Sequence, residues 1–541
     1  ARRFGWALLL AGLLVPLAVL LPLVAITGWL AFGPAPIPDN DFLPVAAMTL
    51  AAFAGGIWIS VAGRRPAGWA GARAARRWPI VPLATLAGVA AIGTAGTVAL
   101  FERQSAHAAD GWYAEATAMM QATVPPPLPE SANAATLHRQ AWALICDDPA
   151  RRPGDWPLRY LPDRVDGREM GDLLARHTGS LALVRQATDR DACRFDGGWT
   201  GETISGFIPS LDVLREEANL LALAARREAL EGRPADAISD AIRIRRLGQQ
   251  AGSLPFLLGR SSATRIDSLA WETLAAVLAA MEPRDSPLLD EPRLAEILAP
   301  PTTMVGPVIQ EEAWVLVAFA DLATRKVTLE DLGGGQPNVP TNDTPGAAIL
   351  ETFYRVFLLQ SERERYRSLA RIVLDVAVDW DPATTRWADV ARRLPPIDTL
   401  ADRGLLIHSM SAHWPVVFEI QTTADVYARA ARVCIAATRY RLRTGRLPDA
   451  LDELVPEELP FLPRDPFTND EPLRMKKVDR GIVVYCVGGD GEDDGGPSTR
   501  TMDEYSRGDK DDLGLWLAPD DVGLSPGEDA TPLEEAATSD R

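Results

Sequence analysis

A short acidic segment near the end of the chain has the residue types of a cation-binding loop. In Asp490-Gly-Glu-Asp-Asp-Gly495, carboxylates occupy positions 1, 3 and 5 and glycine follows at position 6, as at the start of an EF-hand loop. Clustered carboxylates repel one another unless a cation neutralises them. The spacing therefore predicts a calcium loop that uses Asp490, Glu492 and Asp494. The alternative is a solvated acidic turn that binds no ion.

The loop is not a complete EF-hand. Its twelfth position is Thr501, where an EF-hand needs a bidentate Glu. A β-like run precedes the loop, whereas an EF-hand loop follows a helix. The sequence therefore favours calcium ligands arranged in some other way.

No motif with a recognised catalytic mechanism accompanies this segment. The sequence lacks a phosphate-binding loop, a dinucleotide fingerprint, a zinc-protease motif and a nucleophile elbow. His408 and His413 are five residues apart, and we interpret them as partly exposed residues at helix ends rather than as metal ligands. We predict no catalytic residue and no organic cofactor.

The acidic loop must be positioned by the elements before it. Helical periodicity over Ala424–Leu442 predicts one helix, which Gly445 is placed to end. Two β runs, Leu473–Lys477 and Ile482–Val487, flank the turn Val478-Asp-Arg-Gly481. A hairpin alone is marginally stable in water, so one of its faces is expected to pack on the helix.

The same region resembles a known family, the G-type major pseudopilins of bacterial type II secretion systems. The resemblance covers about 95 residues, from Ala424 to about Trp516, and rests on an ordered series of short motifs. These are Thr444-Gly-Arg-Leu-Pro448, Arg464-Asp-Pro-Phe467, Tyr485-Cys-Val-Gly-Gly-Asp-Gly491 and Asp512-Leu-Gly-Leu-Trp516. The resemblance implies a helix on a small antiparallel sheet and a calcium-holding loop, in which Asp490 and Asp512 match the family's aspartates.

Loop spacing and resemblance together predict one Ca²⁺ held by Asp490, Glu492, Asp494 and Asp512, with backbone carbonyls. The chain departs from the family because neither a prepilin-peptidase site nor a single membrane helix immediately precedes the helix of this module. About 320 residues of helical sequence take their place.

Charge is distributed unevenly along the 541 residues. The first 101 residues carry seven Arg and two Asp, a net charge of +5. The remaining residues carry a net charge of −23, which gives the total of −18. Such an acidic chain repels phosphate backbones, so we predict no nucleic-acid partner. After Trp516 the sequence is acidic and poor in apolar residues, which predicts a disordered tail over residues 518–541.

Three long stretches near the N-terminus contain no charged residue. They lie between Arg3 and Asp39, over Phe42–Gly63 and over Trp78–Phe101, and each reaches the roughly 20 residues that a membrane-spanning helix needs. The segment Arg64–Arg77 holds five Arg and no acid, which predicts a cytoplasmic loop. The expected topology is an anchor over residues 1–103 in a bacterial inner membrane, with a cytoplasmic N-terminus and an extracytoplasmic remainder.

The middle of the chain, residues 104–405, has the periodicity of an all-helical domain. Apolar residues between Leu211 and Ala225 share one stripe, Gly232 and Pro234 interrupt the pattern, and a second amphipathic run starts at Ala237. This predicts an antiparallel helix pair. A small α+β module over residues 406–517 then completes a mainly α, membrane-anchored fold.

Four cysteines fall on the predicted exported side, which permits two disulfides. Pairing neighbours in sequence, Cys146 with Cys193 and Cys434 with Cys486, closes loops of about 50 residues, each worth about 3–4 kcal/mol on the chain-entropy account. Buried free thiols are the alternative.

The sequence favours a non-catalytic envelope scaffold or interaction protein with the lipid bilayer and an envelope protein as partners. Its pseudopilin-like module is expected to be stabilised by calcium and to serve secretion. The alternative is an exported membrane-bound hydrolase with its site in the helical domain, which a cleft lined by His and acidic side chains would favour.

Overall fold

A computed structural model of the protein describes part of the chain. It covers residues 80–123, 126–147, 167–195, 208–254, 257–299, 303–333, 347–381, 384–396, 406–411, 413–498 and 512–518. These residues are mainly helical and include one small antiparallel sheet, as the periodicity predicts. The tail beyond residue 518 and the segment 499–511 lie outside the described residues.

The helices are, in chain order, α1 (Ile80–Thr123), α2 (Ala134–Cys146), α3 (Gly167–Arg176), α4 (Thr178–Thr188), α5 (Ile208–Leu230), α6 (Pro234–Gly252), α7 (Leu257–Ala280), α8 (Leu294–Ile297), α9 (Val305–Ala323), α10 (Leu329–Gly333), α11 (Ala347–Phe353), α12 (Leu359–Val378), α13 (Trp387–Arg393), α14 (Ile407–Ser411) and α15 (Trp414–Thr444). Short 3-10 turns occupy Pro283–Asp290 and Leu451–Leu454, and a π turn over Tyr354–Leu358 joins α11 to α12. The strands are β1 (Arg474–Val478), β2 (Gly481–Cys486) and β3 (Leu513–Leu517).

The prediction of a membrane-anchored fold is corrected by the structure. Among the described residues, no helix is both long enough and apolar enough to cross a bilayer. The third predicted span, Trp78–Phe101, overlaps the first part of α1, which is 44 residues long and ends at Thr123. Absence of charge is a weak criterion there, because six Ala, three Gly and three Thr make up half of its 24 residues, and such small residues carry little apolar surface. The first two predicted spans and the arginine loop lie outside the described residues.

The chain forms two compact units, the first drawn from Ala1–Ala118, Ala313–Leu369 and Asp398–Ser411. A buried carboxylate organises its described part. Glu362 of α12 accepts hydrogen bonds from the Tyr354 hydroxyl at 2.6 Å and from the backbone amides of Leu406 at 2.5 Å and Ile407 at 2.9 Å. Glu362 thereby ties the π turn and the start of α14 to α12.

The second unit is drawn from Met119–Glu312, Ala370–Ile397 and Ala412–Arg541. Its centre is the predicted helix pair, now α5 and α6, packed with α7. Pro234 lies in the first turn of α6, where its missing amide hydrogen is not needed, and Gly232 turns the chain with a φ of +74°. The predicted break at Gly232 and Pro234 is confirmed.

A buried ion-pair network joins α6, α7 and α15. The Asp267 carboxylate lies 2.8 Å from the Arg245 guanidinium and 3.5 Å from that of Arg260. Arg260 also donates a hydrogen bond of 2.8 Å to Gln421 on α15. All four side chains are buried, so three helices are connected through charges that water does not reach.

The C-terminal sheet has the order β1-β2-β3 and is antiparallel throughout. The predicted hairpin is confirmed, with Val478 opposite Gly481 across the turn. α15 begins ten residues before the predicted start and ends at Gly445, whose φ of +80° is that of a left-handed cap. β3 had been recognised only as a motif.

Every residue of β2 is buried, on both faces of the sheet. The hairpin sequence predicts that one face packs on the helix, whereas in the structure α15 contacts β2 and β3 and α7 also contacts β3. Asp465, from one of the family-like motifs, accepts a hydrogen bond of 3.1 Å from the backbone amide of Val487 at the end of β2.

The two predicted disulfides are absent, because all four cysteines are free thiols. Cys434 on α15 and Cys486 on β2 are fully buried, and burial raises the pKa of the Cys434 thiol to about 12. Cys146 is exposed and Cys193 is partly exposed.

We predict that Gly248→Ala destabilises the second unit by about 2–5 kcal/mol. A methyl group at position 248 of α6 would lie 1.9 Å from Asp267 Oδ1, so the carboxylate would have to leave Arg245. Chemical denaturation of the full chain measures the change.

Gly306→Ala is the matched control in the same unit. A methyl group at position 306 of α9 meets no atom within 4 Å, and helix propensity alone should shift stability by less than about 1 kcal/mol in the favourable direction. Equal effects of the two substitutions would show that the contact with Asp267 does not matter.

Candidate functional site

The predicted calcium loop follows β2 directly. Adjacent Gly495 and Gly496 have φ values of +84° and +101°, a conformation that other residues rarely adopt. They turn the chain so that the Gly496 amide donates a hydrogen bond of 2.6 Å to Asp512 Oδ2, just before β3. The structure thus brings the loop and Asp512 together.

Asp512 is the buried residue of the predicted ligand set. Asp512 is only 1% exposed, and its second carboxylate oxygen, Oδ1, is buried and has no hydrogen-bond partner in the part of the chain that the structure describes. Burial raises the pKa of Asp512, and the charges of Asp493 and Asp494 raise it further, although the backbone amides of Gly496 and Asp494 act in the opposite direction. Among the described residues, no basic side chain is paired with Asp512.

The other predicted ligands are exposed. Asp490 Oδ1 accepts a hydrogen bond of 3.0 Å from the backbone amide of Glu492, which closes a turn within the loop. Asp493 was not in the predicted set, yet it lies near Asp512 and pairs with Arg474 at 3.3 Å. Within the described ranges, no three His, Cys, Asp or Glu side chains are gathered closely enough to hold a metal ion.

The residues around Asp512 nevertheless suit a hard cation. The buried Asp512 oxygen, which has no hydrogen-bond partner among the described residues, and the nearby carboxylates of Asp493 and Asp494 supply oxygen ligands. Asp490 and Glu492 remain predicted ligands, and the structure shows no contact between them and Asp512.

A second polar cluster, which the sequence analysis did not find, lies inside the helical part of the second unit. His138 of α2 is fully buried, with Nδ1 2.5 Å from Glu217 Oε2 on α5 and Nε2 2.9 Å from Gln250 Oε1 on α6. Glu217 is also fully buried, and no described residue forms a hydrogen bond with its other oxygen, Oε1.

The neighbours of Gln250 determine where the protons of His138 lie. The Gln250 amide nitrogen donates to the Ala187 carbonyl at 3.3 Å, which turns its oxygen toward His138 Nε2. Nε2 must therefore carry a hydrogen, and the Nδ1 contact with a carboxylate makes the ring an imidazolium donor on both sides.

The electrostatics of the cluster agree with this assignment. Burial lowers the pKa of His138, but the charge of Glu217 and hydrogen bonds to Glu217 and Cys193 outweigh it and raise the pKa to about 10. Burial raises the pKa of Glu217, and the His138 charge opposes that rise. The pair is therefore a buried imidazolium-carboxylate.

This cluster could not be recognised from the sequence because its members lie far apart along the chain. His138 and Glu217 are 79 residues apart, and the interval matches no motif. Glu216 and Glu217 lie off the apolar stripe that helical periodicity gives α5, yet both are fully buried because α6, α7 and α3 pack around this helix. The only hint in the sequence was the pair of adjacent acids, Glu216 and Glu217, within a long helix rich in apolar residues.

The histidine pair singled out in the sequence shows no metal site. His413, just before α15, lies 3.3 Å from Glu311 and is partly exposed. The side chain of His408 lies outside the described part.

Comparisons with family models, curated proteins and solved structures found no match for this chain. The pseudopilin resemblance therefore rests on the quoted motifs, and it remains a prediction.

We predict that the His138 ring stays protonated from pH 5 to about 9. Because the folded pKa lies above the ordinary 6.5, the pair stabilises the fold fully below about pH 6.5 and loses that contribution as the pH rises through about 10. Ring ¹⁵N chemical shifts in histidine-labelled protein measure the protonation, with the signal assigned through its loss in His138→Gln.

Glu217→Gln removes the negative charge at nearly constant volume. Without that charge, burial dominates and the His138 ring should lose its proton within the same pH range. Glu231→Gln, just beyond the exposed end of α5, should leave the signal unchanged. A wild-type ring that titrates near pH 6.5 would contradict the ion pair.

Proposed function

We propose that the protein is a non-catalytic scaffold or interaction protein whose C-terminal module is fixed by one bound Ca²⁺. The described part of the module consists of α15, the three strands, the loop over residues 488–498 and Asp512. Calcium would hold the loop against β3 and so make the end of the sheet a fixed surface. The envelope partner and the role in secretion rest on the pseudopilin resemblance.

One observation supports the calcium site most directly. A buried carboxylate oxygen without a partner is costly, because its lost hydration is not replaced. Asp512 Oδ1 is such an atom, and two further acids, Asp493 and Asp494, add repulsion beside it. A divalent cation would supply the missing partner and remove the repulsion.

The ligand chemistry agrees with calcium. Calcium accepts carboxylate and backbone carbonyl oxygens in a flexible arrangement of about six to eight ligands. Asp512 and Asp494 would bind directly, with Asp490, Glu492 and loop carbonyls completing the shell. Asp490 and Glu492 are exposed loop residues and can turn toward the ion without disturbing the core.

A hydrolase with its site in the helical domain receives less support. The strongest pairing of histidine and acid there is His138 with Glu217, and both side chains are fully buried. Both ring nitrogens already have partners, so this imidazole is not placed to take a proton from a substrate.

We predict that calcium raises the thermal stability of the full chain. A ligand that binds only the folded state at about 100 times its dissociation constant adds about 2.7 kcal/mol. Scanning calorimetry in millimolar calcium and in EDTA measures the shift. Asp512→Asn should abolish it, and in EDTA this variant should match or exceed the wild-type stability because a buried charge has been removed.

Asp452→Asn is the control, since Asp452 is an exposed carboxylate in the Leu451–Leu454 turn. It should retain the full calcium shift, and Asp490→Ala should reduce it. No calcium shift in the wild-type protein, or an equal shift in Asp512→Asn, would refute the site.

A further inference from the structure

The carboxylates of Asp493 and Asp512 are held by neighbouring backbone amides. The Gly495 amide donates a hydrogen bond of 3.0 Å to Asp493 Oδ1. The next amide along the chain, that of Gly496, donates one of 2.6 Å to Asp512 Oδ2. Two consecutive amides therefore bring an exposed loop acid and a buried acid at the start of β3 to the same turn.

The second oxygens of these two carboxylates have different surroundings. Asp493 Oδ2 lies 3.3 Å from Arg474 Nε on β1. Asp512 Oδ1 is buried, and no described residue supplies it with a hydrogen bond. This oxygen points to a ligand independently of the number of acids in the loop, because a buried carboxylate oxygen is costly unless something replaces its hydration.

Arg474 has two other acidic neighbours besides Asp493. Its Nη2 donates a hydrogen bond of 2.7 Å to Glu471, and its Nη1 lies 4.0 Å from the buried carboxylate of Asp465. The side chains of Arg474 and Asp493 are both partly open to solvent, and such exposed ion pairs contribute little to stability. A cation that replaced the guanidinium at Asp493 would therefore leave Arg474 paired with other acids.

We propose that Asp493 is a further calcium ligand and that Arg474 competes with the ion for its carboxylate. This role rests on the calcium site of the proposed function, in which Asp493 stood beside the ligands and was not one of them. Without calcium, the Arg474 guanidinium is paired with Asp493 Oδ2. With calcium, Asp493 Oδ2 and Asp512 Oδ1 both bind the ion, and Arg474 keeps its remaining acidic neighbours.

Electrostatics favour this exchange of partners. The guanidinium pairs with Asp493, whereas no basic side chain in the described ranges is paired with Asp512. A divalent ion bound by both acids removes their mutual repulsion and supplies the partner that Asp512 Oδ1 lacks. The Tyr485 hydroxyl at 3.3 Å and the Gly495 amide both donate to Asp493 Oδ1, so they can hold the carboxylate in place while Oδ2 changes its partner.

The competition determines how much calcium the site needs. An ion that can bind only after an internal contact has opened has an apparent affinity reduced by the fraction of molecules in which that contact is open. Arg474 therefore raises the calcium concentration at which the loop becomes fixed against β3.

The test is a calorimetric titration of calcium into the full chain, from which bound metal has first been removed with EDTA. Arg474→Met removes the competitor and should tighten calcium binding about three- to fivefold, the upper part of the range for an exposed ion pair. Lys477→Met is the matched control. It removes the same charge from the same strand, but Lys477 is paired with Asp449 and not with the loop. Its effect should be less than about 1.5-fold.

Asp493→Asn tests the assignment of the further ligand. It should weaken calcium binding at least about tenfold, because the affinity of an oxygen site depends on the charge of its ligands. In the Asp493→Asn background, Arg474→Met should change the affinity less than about 1.5-fold, since the guanidinium has lost the carboxylate for which it competes. This non-additivity separates competition from a general change in charge.

The outcomes distinguish this role from the proposed function. A wild-type protein that binds no calcium overturns both. If the wild-type protein binds calcium and Arg474→Met has the same affinity as Lys477→Met, the competition is overturned and the calcium site stands. An unchanged affinity in Asp493→Asn overturns the ligand assignment. Asp493 is an exposed loop residue, so this last result is decisive even if Arg474→Met fails to fold.

Discussion

The second unit depends on the ion pair between Arg245 and Asp267. Both side chains are removed from water, which costs several kcal/mol for each charge and is recovered only if the pairing geometry is good. Asp267 is placed between Arg245 and Arg260, and Gly248 provides the space for its carboxylate against α6. Burial raises the pKa of Asp267, and the two guanidinium groups counter that rise.

Because this network includes Gln421 on α15, it also bears on the C-terminal module. α15 contacts β2 and β3, and α7, which carries Asp267, contacts β3 as well. The two helices that the buried charges connect are therefore the helices on which the sheet rests. Asp512 lies at the start of β3, so the geometry of the candidate calcium site depends on this packing.

Three buried acids illustrate three different solutions to the same electrostatic problem. Asp267 has two guanidinium groups and Glu217 has one imidazolium, so each charge is balanced within the protein. Within the described ranges, Asp512 has only backbone amides and acidic neighbours, and one of its oxygens has no hydrogen-bond partner. This difference is the reason for proposing a cation at Asp512 and a structural role for Glu217.

The sequence by itself determined the local structure of this protein. The helix pair around Gly232, the cap at Gly445 and the hairpin at Val478–Gly481 follow from periodicity and turn chemistry, which act between near neighbours. Only the tertiary structure decided which polar residues are buried together, because burial depends on how many helices surround a face. Glu217 therefore meets His138 although no sequence motif links the two residues, and of the four predicted calcium ligands the fold buries Asp512 alone. The third predicted membrane span shows where the sequence argument failed. Its residues carry no charge, but no described helix is apolar enough to cross a bilayer.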